Sequence, residues 1–210
     1  MSTSITRSER KAETHTAILD AAEQVFIERG WRSAGIRDVA DRAGIAPSSI
    51  YNHFGSKEQL FSAALARRAL EVQQAAVAGF MRVRDFPNDL ADVVALMRSL
   101  AEEHSEFLRL AAIDIAEFGA VHVSRPDLDL IPVIEAIFRP YYEADAASGF
   151  LRDFDLGVVV RFIYLSLFTY FGITQLYGER LGTVGDTDWE DREIARLLER
   201  GIVARPKEDQ

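Results

Sequence analysis

Residues 156–177, LGVVVRFIYLSLFTYFGITQLY, run for 22 residues with one formal charge, Arg161. A segment this apolar must be hidden from water, in a bilayer or beneath other protein. It is long enough to span a membrane. Yet Arg161 lies within it, Gln175 lies near its end, and no basic cluster flanks it. These features argue against a span and for a helix buried on all sides by protein.

The rest of the chain follows a helical period. Apolar residues recur three and four positions apart, almost no segment alternates as a strand would, and an all-α fold is expected. Thr6-x-x-Glu9 reads as a capping box opening a first helix. Its apolar stripe, Ala17, Ile18, Ala21, Ala22, Val25 and Phe26, is expected to end at Gly30. Ile36, Val39, Ala40 and Ala43 mark a short second helix closed by Gly44. Pro47 suits the first turn of a third, which points Ile50 and Phe54 inward. Ser56-x-x-Gln59 caps a fourth helix over 57–79. Further helices are expected near 89–103, 105–118, 128–147 (kinked at Pro140), 155–178 and 188–203, the last opened by a capping box at Thr187-x-x-Glu190. DFPND, VHVSRPD and GTVGDT read as loops, and ARPKEDQ as a disordered tail. The expected organisation is an N-terminal module over 9–56, helix four connecting over 57–79, and a helical body over 80–205.

Composition narrows the chemistry. The chain has no cysteine, which excludes disulfides, thiolate zinc sites and cysteine nucleophiles. Its N-terminus is polar without an apolar core, so no signal peptide is expected and a cytoplasmic location is. His104 and His122 have no partner at metal-ligand spacing, and no Gly-rich phosphate loop or G-x-S-x-G elbow occurs. Neither a metal, a cofactor nor an enzyme is expected. The net charge is −9, but residues 1–70 carry 10 Lys/Arg against 8 Asp/Glu while the remainder carries 14 against 25. A mildly basic module on an acidic body is a weak pointer to nucleic acid.

The stretch GIAPSSIYNHFGSKEQL, residues 44–60, carries the sharper signal. Two short helices joined by Gly44-Ile45-Ala46 fit a helix-turn-helix, whose second helix enters the major groove. With Ile50 and Phe54 inward, the opposite face shows Ser48, Ser49, Tyr51, Asn52 and His53. These groups pair with phosphate oxygens and base edges. Lys57, in the first turn of helix four, is poorly placed for the helix dipole unless an anion sits beside it. An ordinary solvated hairpin satisfies the same spacing.

Residues 12–65, through ILDAAEQVFIERGW, IRDVADRAGIA and SSIYNHFGSKEQLF, resemble the DNA-binding domain of the TetR/AcrR family of transcriptional regulators. HSEFLRL, FRPYY and GFLRDFD extend the likeness loosely beyond it. The resemblance implies a homodimer on a palindromic operator, and most often a repressor released by a small molecule. Carried over by position, it places Pro47, Ser48 and Asn52 at base edges and Ser49, Tyr51, His53 and Lys57 on phosphates. Arg37 and Ser33 reach the DNA as well, with Arg7 and Arg10 as an N-terminal arm. Ala34-Gly35 and Ala46 stand where the family usually has capping hydroxyls, a loss of about 1 kcal/mol or less each.

In the body, helix eight has two apolar faces, more than one subunit core requires. Val158, Phe162, Thr169 and Gly172, with Trp189, Ile194, Leu197 and Leu198 of helix nine, are the expected dimer interface. Phe107, Leu110, Asp114, Phe118, Phe138, Tyr141, Tyr142, Phe162 and Leu165 are the candidate lining of an apolar, aromatic effector pocket. Arg161, a second charge in an apolar run, is expected to pair with Asp114 or to meet an anionic ligand. The alternatives are plain core packing, and a DNA-binding dimer with no small-molecule input.

Overall fold

The computed structural model describes residues 6–83, 85, 88–124, 129–152, 154–178 and 187–203. Residues 182–186 of the GTVGDT loop, parts of the other two expected loops and the ARPKEDQ tail lie outside them. Among the described residues are the helices α1 (Arg7–Ser33), α2 (Ile36–Ala43), α3 (Pro47–Phe54), α4 (Lys57–Phe80), α5 (Leu90–Glu103), α6 (Ser105–Phe118), α7 (Ile131–Ala147), α8 (Leu156–Tyr177) and α9 (Thr187–Ile202). The only extended pairing among these residues is an isolated bridge between Leu151 and Val203.

The chain forms two compact units. The first comprises α1–α3, α4 through Leu70, and α6 from Glu106. Helix α6, expected in the body, belongs to this N-terminal unit. Thr6 and Glu9 cap α1 reciprocally: the Glu9 amide donates to Thr6 Oγ1 at 3.2 Å, and the Thr6 amide donates to Glu9 Oε2 at 2.6 Å. Gly30 does not end α1. It adopts φ 70, ψ 173, which breaks the regular winding, and one more turn runs on to Ser33. Arg7 and Arg10 lie inside α1 rather than on an arm, because the capping box starts the helix ahead of them.

The core of this unit is built from Ile18, Ala22, Val25 and Phe26 of α1, Val39 and Ala40 of α2, Ile50 and Phe54 of α3, and Leu60, Phe61 and Leu65 of α4. Glu23 is buried among them, 2% exposed. It accepts from Arg67 Nε at 2.9 Å and Arg68 Nε at 2.8 Å, which ties α1 to α4. Burial pushes its carboxyl above the ordinary value, and the two guanidiniums oppose that rise.

The second unit comprises α4 from Glu71, then α5, α7, α8 and α9. Helix α8 is not buried all round. Leu156, Val160, Ile163, Leu167, Phe171 and Gly172 are inside, while Val158, Phe162, Leu165, Tyr170, Ile173 and Tyr177 are exposed. Its length and composition are enough to cross a membrane, with 33% of its most apolar window buried. Helix α7 runs unbroken through Pro140. The ladder bond that proline removes would end on Ala136, which is exposed, so water can take that carbonyl.

The expected capping box at Thr187 does not form, because Glu190 is engaged elsewhere. Its carboxylate accepts from Arg98 and from the Tyr170 hydroxyl. Arg98 also bonds Asp191 at 2.7–2.8 Å and lies 4.5 Å from the Phe171 ring centroid. This cluster staples α9 and α8 to α5. Burial alone would raise the Glu190 pKa, but Tyr170 and Arg98 outweigh it and hold the carboxyl below its ordinary value. Its stabilisation is therefore present above the ordinary carboxylate pKa and lost as pH falls through the lowered one. Arg98→Met takes the guanidinium away from two largely buried carboxylates and is expected to cost about 3–5 kcal/mol in urea denaturation at neutral pH. The wild-type advantage over that variant should shrink below about pH 4.

Candidate nucleic-acid interface and effector cavity

The turn between α2 and α3 depends on Gly44. It takes φ 69 in the left-handed region, which L side chains rarely adopt. Its amide and that of Ile45 return to the Ala40 carbonyl, the latter at 3.0 Å. At the far end of α3, Gly55 adopts φ 74, and a Cβ there would meet Gln59 Oε1 at 2.3 Å. Ser56 Oγ accepts from the Gln59 amide at 3.1 Å and starts α4. Two glycines thus set the angle at which α3 leaves its neighbours.

With Ile50 and Phe54 inward, α3 presents one hydrophilic face. Pro47, Ser48, Tyr51 and Asn52 are exposed; Ser49 and His53 are half-buried. No side chain caps α3, so its first N–H groups suit an anion. Ser33 and Arg37 are also exposed. Arg29 pairs with Asp38 at 2.6 Å and Arg42 with Glu28 at 2.6 Å. Arg37, between them in sequence, has no protein partner among the described residues. The missing hydroxyl before α2 is offset locally, since Asp38 Oδ2 accepts from the Gly35 amide at 2.8 Å.

Lys57, in the first turn of α4, has a neighbour of its own. Its ammonium donates to the Trp31 carbonyl at 2.5 Å and sits 4.2 Å from the Trp31 ring centroid. Burial pushes its pKa down. The carbonyl and the indole face supply the negative partner that its position at a helix N-terminus calls for.

Residues 18–64 match the family of bacterial regulatory proteins named for tetR. The transcriptional repressor KstR2 of Mycobacterium tuberculosis is 46% identical over 156 residues, covering 65% of this chain and 74% of that protein. The chain belongs to the TetR family. A shorter match, 43% identical over 61 residues, joins 29% of this TetR-family chain to 26% of the transcriptional activator FasR of Mycolicibacterium smegmatis. The fold is that of a transcriptional regulator from Saccharomonospora viridis solved in complex with choline. The two superpose with a TM-score of 0.66 at 22% identity, over 92% of this chain and 100% of that one. TetR-family proteins are DNA-binding transcriptional regulators.

The second unit of this regulator holds an apolar cavity among α4, α5, α7 and α8. It is lined by Phe80, Leu90, Val93, Met97, Ile134, Phe138, Val159, Val160, Ile163, Tyr164 and Leu167. The cavity itself is about 20 Å³, and the empty space reaches about 380 Å³ once the open mouth is included. It is a slot, wide enough for a water but not for a drug-sized molecule at rest. Tyr164 is its one polar side chain. Burial and the nearby Asp129 carboxylate push that phenol up to about 12, so it stays protonated.

Of the residues expected to line a pocket, Phe138 does. Phe162 and Leu165 are exposed on the opposite side of α8. Tyr142 donates to the Phe154 carbonyl at 2.6 Å, and Tyr141 is half-buried outside the lining. Phe107, Leu110, Asp114 and Phe118 belong to the first unit. Phe118 packs on Trp31, Phe61 and His122 at 4.7–5.5 Å between ring centroids. Arg161 is exposed in the second unit, and Asp114 is fully buried in the first. Its carboxylate accepts from the His122 and Val123 amides at 3.1 and 2.8 Å, and Oδ1 lies 2.6 Å from His122 Nδ1. The sequence signal was an acid at the end of α6 followed eight residues later by a histidine, spaced to close a turn.

Of the expected interface residues, Val158, Phe162, Thr169, Trp189 and Leu197 are exposed, Ile194 and Leu198 are half-buried, and Gly172 is buried. Among the described residues no group of three or more metal ligands gathers.

Asp114→Ala removes the acceptor for two backbone amides and an imidazole. It is expected to destabilise the protein by about 2–4 kcal/mol and to speed hydrogen exchange at residues 122–123. An unchanged exchange rate there would restore Asp114 to the list of ligand contacts.

Proposed function

We propose that the protein is a homodimeric repressor that reads a palindromic operator with α3 and is released by a small, largely apolar molecule. The observation that carries the DNA reading is the α3 face itself. Every inward residue is apolar and every outward one is small, hydroxylated, amide-bearing or an amphipathic ring. Pro47, Ser48 and Asn52 read base edges, and Ser49, Tyr51 and His53 hold phosphates, joined by Ser33 and Arg37 from α2 and its approach. Lys57, steadied by Trp31, keeps two N–H donors for a phosphate. The repressor assignment follows the naming of KstR2, and FasR marks the alternative, activation.

The exposed apolar row on α8 with Trp189 and Leu197 supports a twofold four-helix interface. Five large side chains there, Val158, Phe162, Leu165, Trp189 and Leu197, are between 49% and 73% exposed, too much clustered apolar surface for a free subunit. The slot supports effector binding. Its wall is apolar and includes Met97, whose flexible thioether adapts to a guest. A slender hydrocarbon-rich molecule would widen it. Release requires only that this widened state space the two α3 helices wrongly for half-sites about 34–36 Å apart. The rival reading is a DNA-binding dimer without small-molecule control, whose slot stays shut.

A mobility shift on the DNA upstream of its own gene tests the first claim. Tyr51→Ala should weaken binding by about 1–2 kcal/mol without changing sequence preference, and Asn52→Ala should relax the preference at one position by about 1–3 kcal/mol. Wild-type binding by both variants would mean that another face contacts DNA. Phe162→Glu combined with Leu197→Glu should give a monomer in analytical ultracentrifugation; a persistent dimer would move the interface elsewhere. Val160→Trp fills the slot and should leave operator binding intact while abolishing release by any inducer.

A further inference from the structure

We propose that His15 and His53 form a proton-linked pair, so that the module takes up a proton there when it binds DNA and binds more tightly as pH falls. This rests on the DNA-binding reading above. His53 lies in the last turn of α3, on the face assigned to the phosphate backbone. His15 projects from α1, and its ring lies 4.7 Å from the ring of Phe54 and 6.0 Å from that of His53. It therefore covers one of the two side chains that hold α3 in place.

The groups facing His15 come from three elements: Lys11 on α1, His53 on α3 and Arg67 on α4. None is an anion. Arg67 is itself held by Glu23 and Asp20, at 2.5 and 2.7 Å. In the free protein, partial burial first, then the charges of His53, Arg67 and Lys11, hold the His15 imidazole below its ordinary value. His15 is thus kept short of protons near neutral pH, within the range where imidazoles titrate.

A duplex reverses the balance. Its phosphates bring dense negative charge to the α3 face, and an imidazolium there gains what a neutral ring cannot. By linkage, a site whose proton affinity rises on binding takes up protons, and binding strengthens as pH falls until the free protein is protonated too. Uptake of one whole proton changes the affinity tenfold per pH unit. A partial uptake shared by the pair predicts a rise of about three- to tenfold between pH 8 and pH 6.

Fluorescence anisotropy with a labelled random-sequence duplex at low salt, across pH 6–8, is the test. Wild type should show the rise, and His53→Gln should flatten it. His15→Phe keeps an aromatic cover over Phe54 but cannot titrate, and should flatten it while remaining folded by circular dichroism. His104→Gln, in the other compact unit, should keep the full slope. NMR titration of the free protein should show the His15 midpoint rising in His53→Gln. Tight binding with no pH slope, or a slope that survives His15→Phe and His53→Gln together, overturns the pair and leaves the DNA reading standing. No binding to any duplex at any pH overturns both.

Discussion

An eight-residue helix is not stable by itself in water, and α3 is eight residues long. The DNA contacts proposed for this protein depend on Ile50 and Phe54 staying buried, since they fasten that helix to the module. Ile50 is 1% exposed and Phe54 8%. Each buried side chain of this size contributes about 1.5–3 kcal/mol, enough to hold one short element when its neighbours are fixed. The neighbours are fixed in turn by the Gly44 turn, by the Ser56 cap on α4, and by the Glu23–Arg67–Arg68 cluster between α1 and α4. The outward face is then free to be chosen for its partner rather than for stability.

Polar groups in this molecule do two distinct kinds of work. Buried ones, such as Glu23, Asp114 and the Arg98 cluster, are satisfied within the protein and define which helices meet. Half-exposed ones on α3 and its surroundings are left without strong partners and face solvent. Lys57 stands between the two groups, half-buried and bonded once to the Trp31 carbonyl. Its carbonyl and indole partners cost no other interaction, whereas an ammonium left at the start of α4 would oppose the helix dipole.

The second unit shows a comparable division along one helix. The inner side of α8 meets α5 and α7 and forms the wall of a narrow apolar slot. Its outer side carries aromatic and aliphatic residues that the subunit leaves uncovered. A helix with apolar residues all round reads in one dimension as a membrane span or a fully buried core helix. Here one half of that surface serves the subunit, and the other half stays exposed, the surface assigned above to a proposed dimer.

Much of the architecture was legible from residue order. Helix positions, the capping box at Thr6, the Ser56 hydroxyl cap of α4, the glycine turn before α3 and the inward pair Ile50 and Phe54 all depend on neighbours within about four positions, where periodicity and capping act. The two-sidedness of α8 was legible too, because its apolar residues outnumber what one core face can use. What only the tertiary structure decided were partners distant in sequence: Lys57 on Trp31, Glu190 on Arg98 instead of on its own helix start, and Phe118 in an aromatic cluster of the first unit instead of in a pocket. Asp114 bonds a turn only eight residues away, yet whether that turn folds back depends on the burial around it. An apolar stripe states that a face will be covered. It does not state by what, because burial is non-directional, and the choice among equally apolar neighbours is made only when the helices pack.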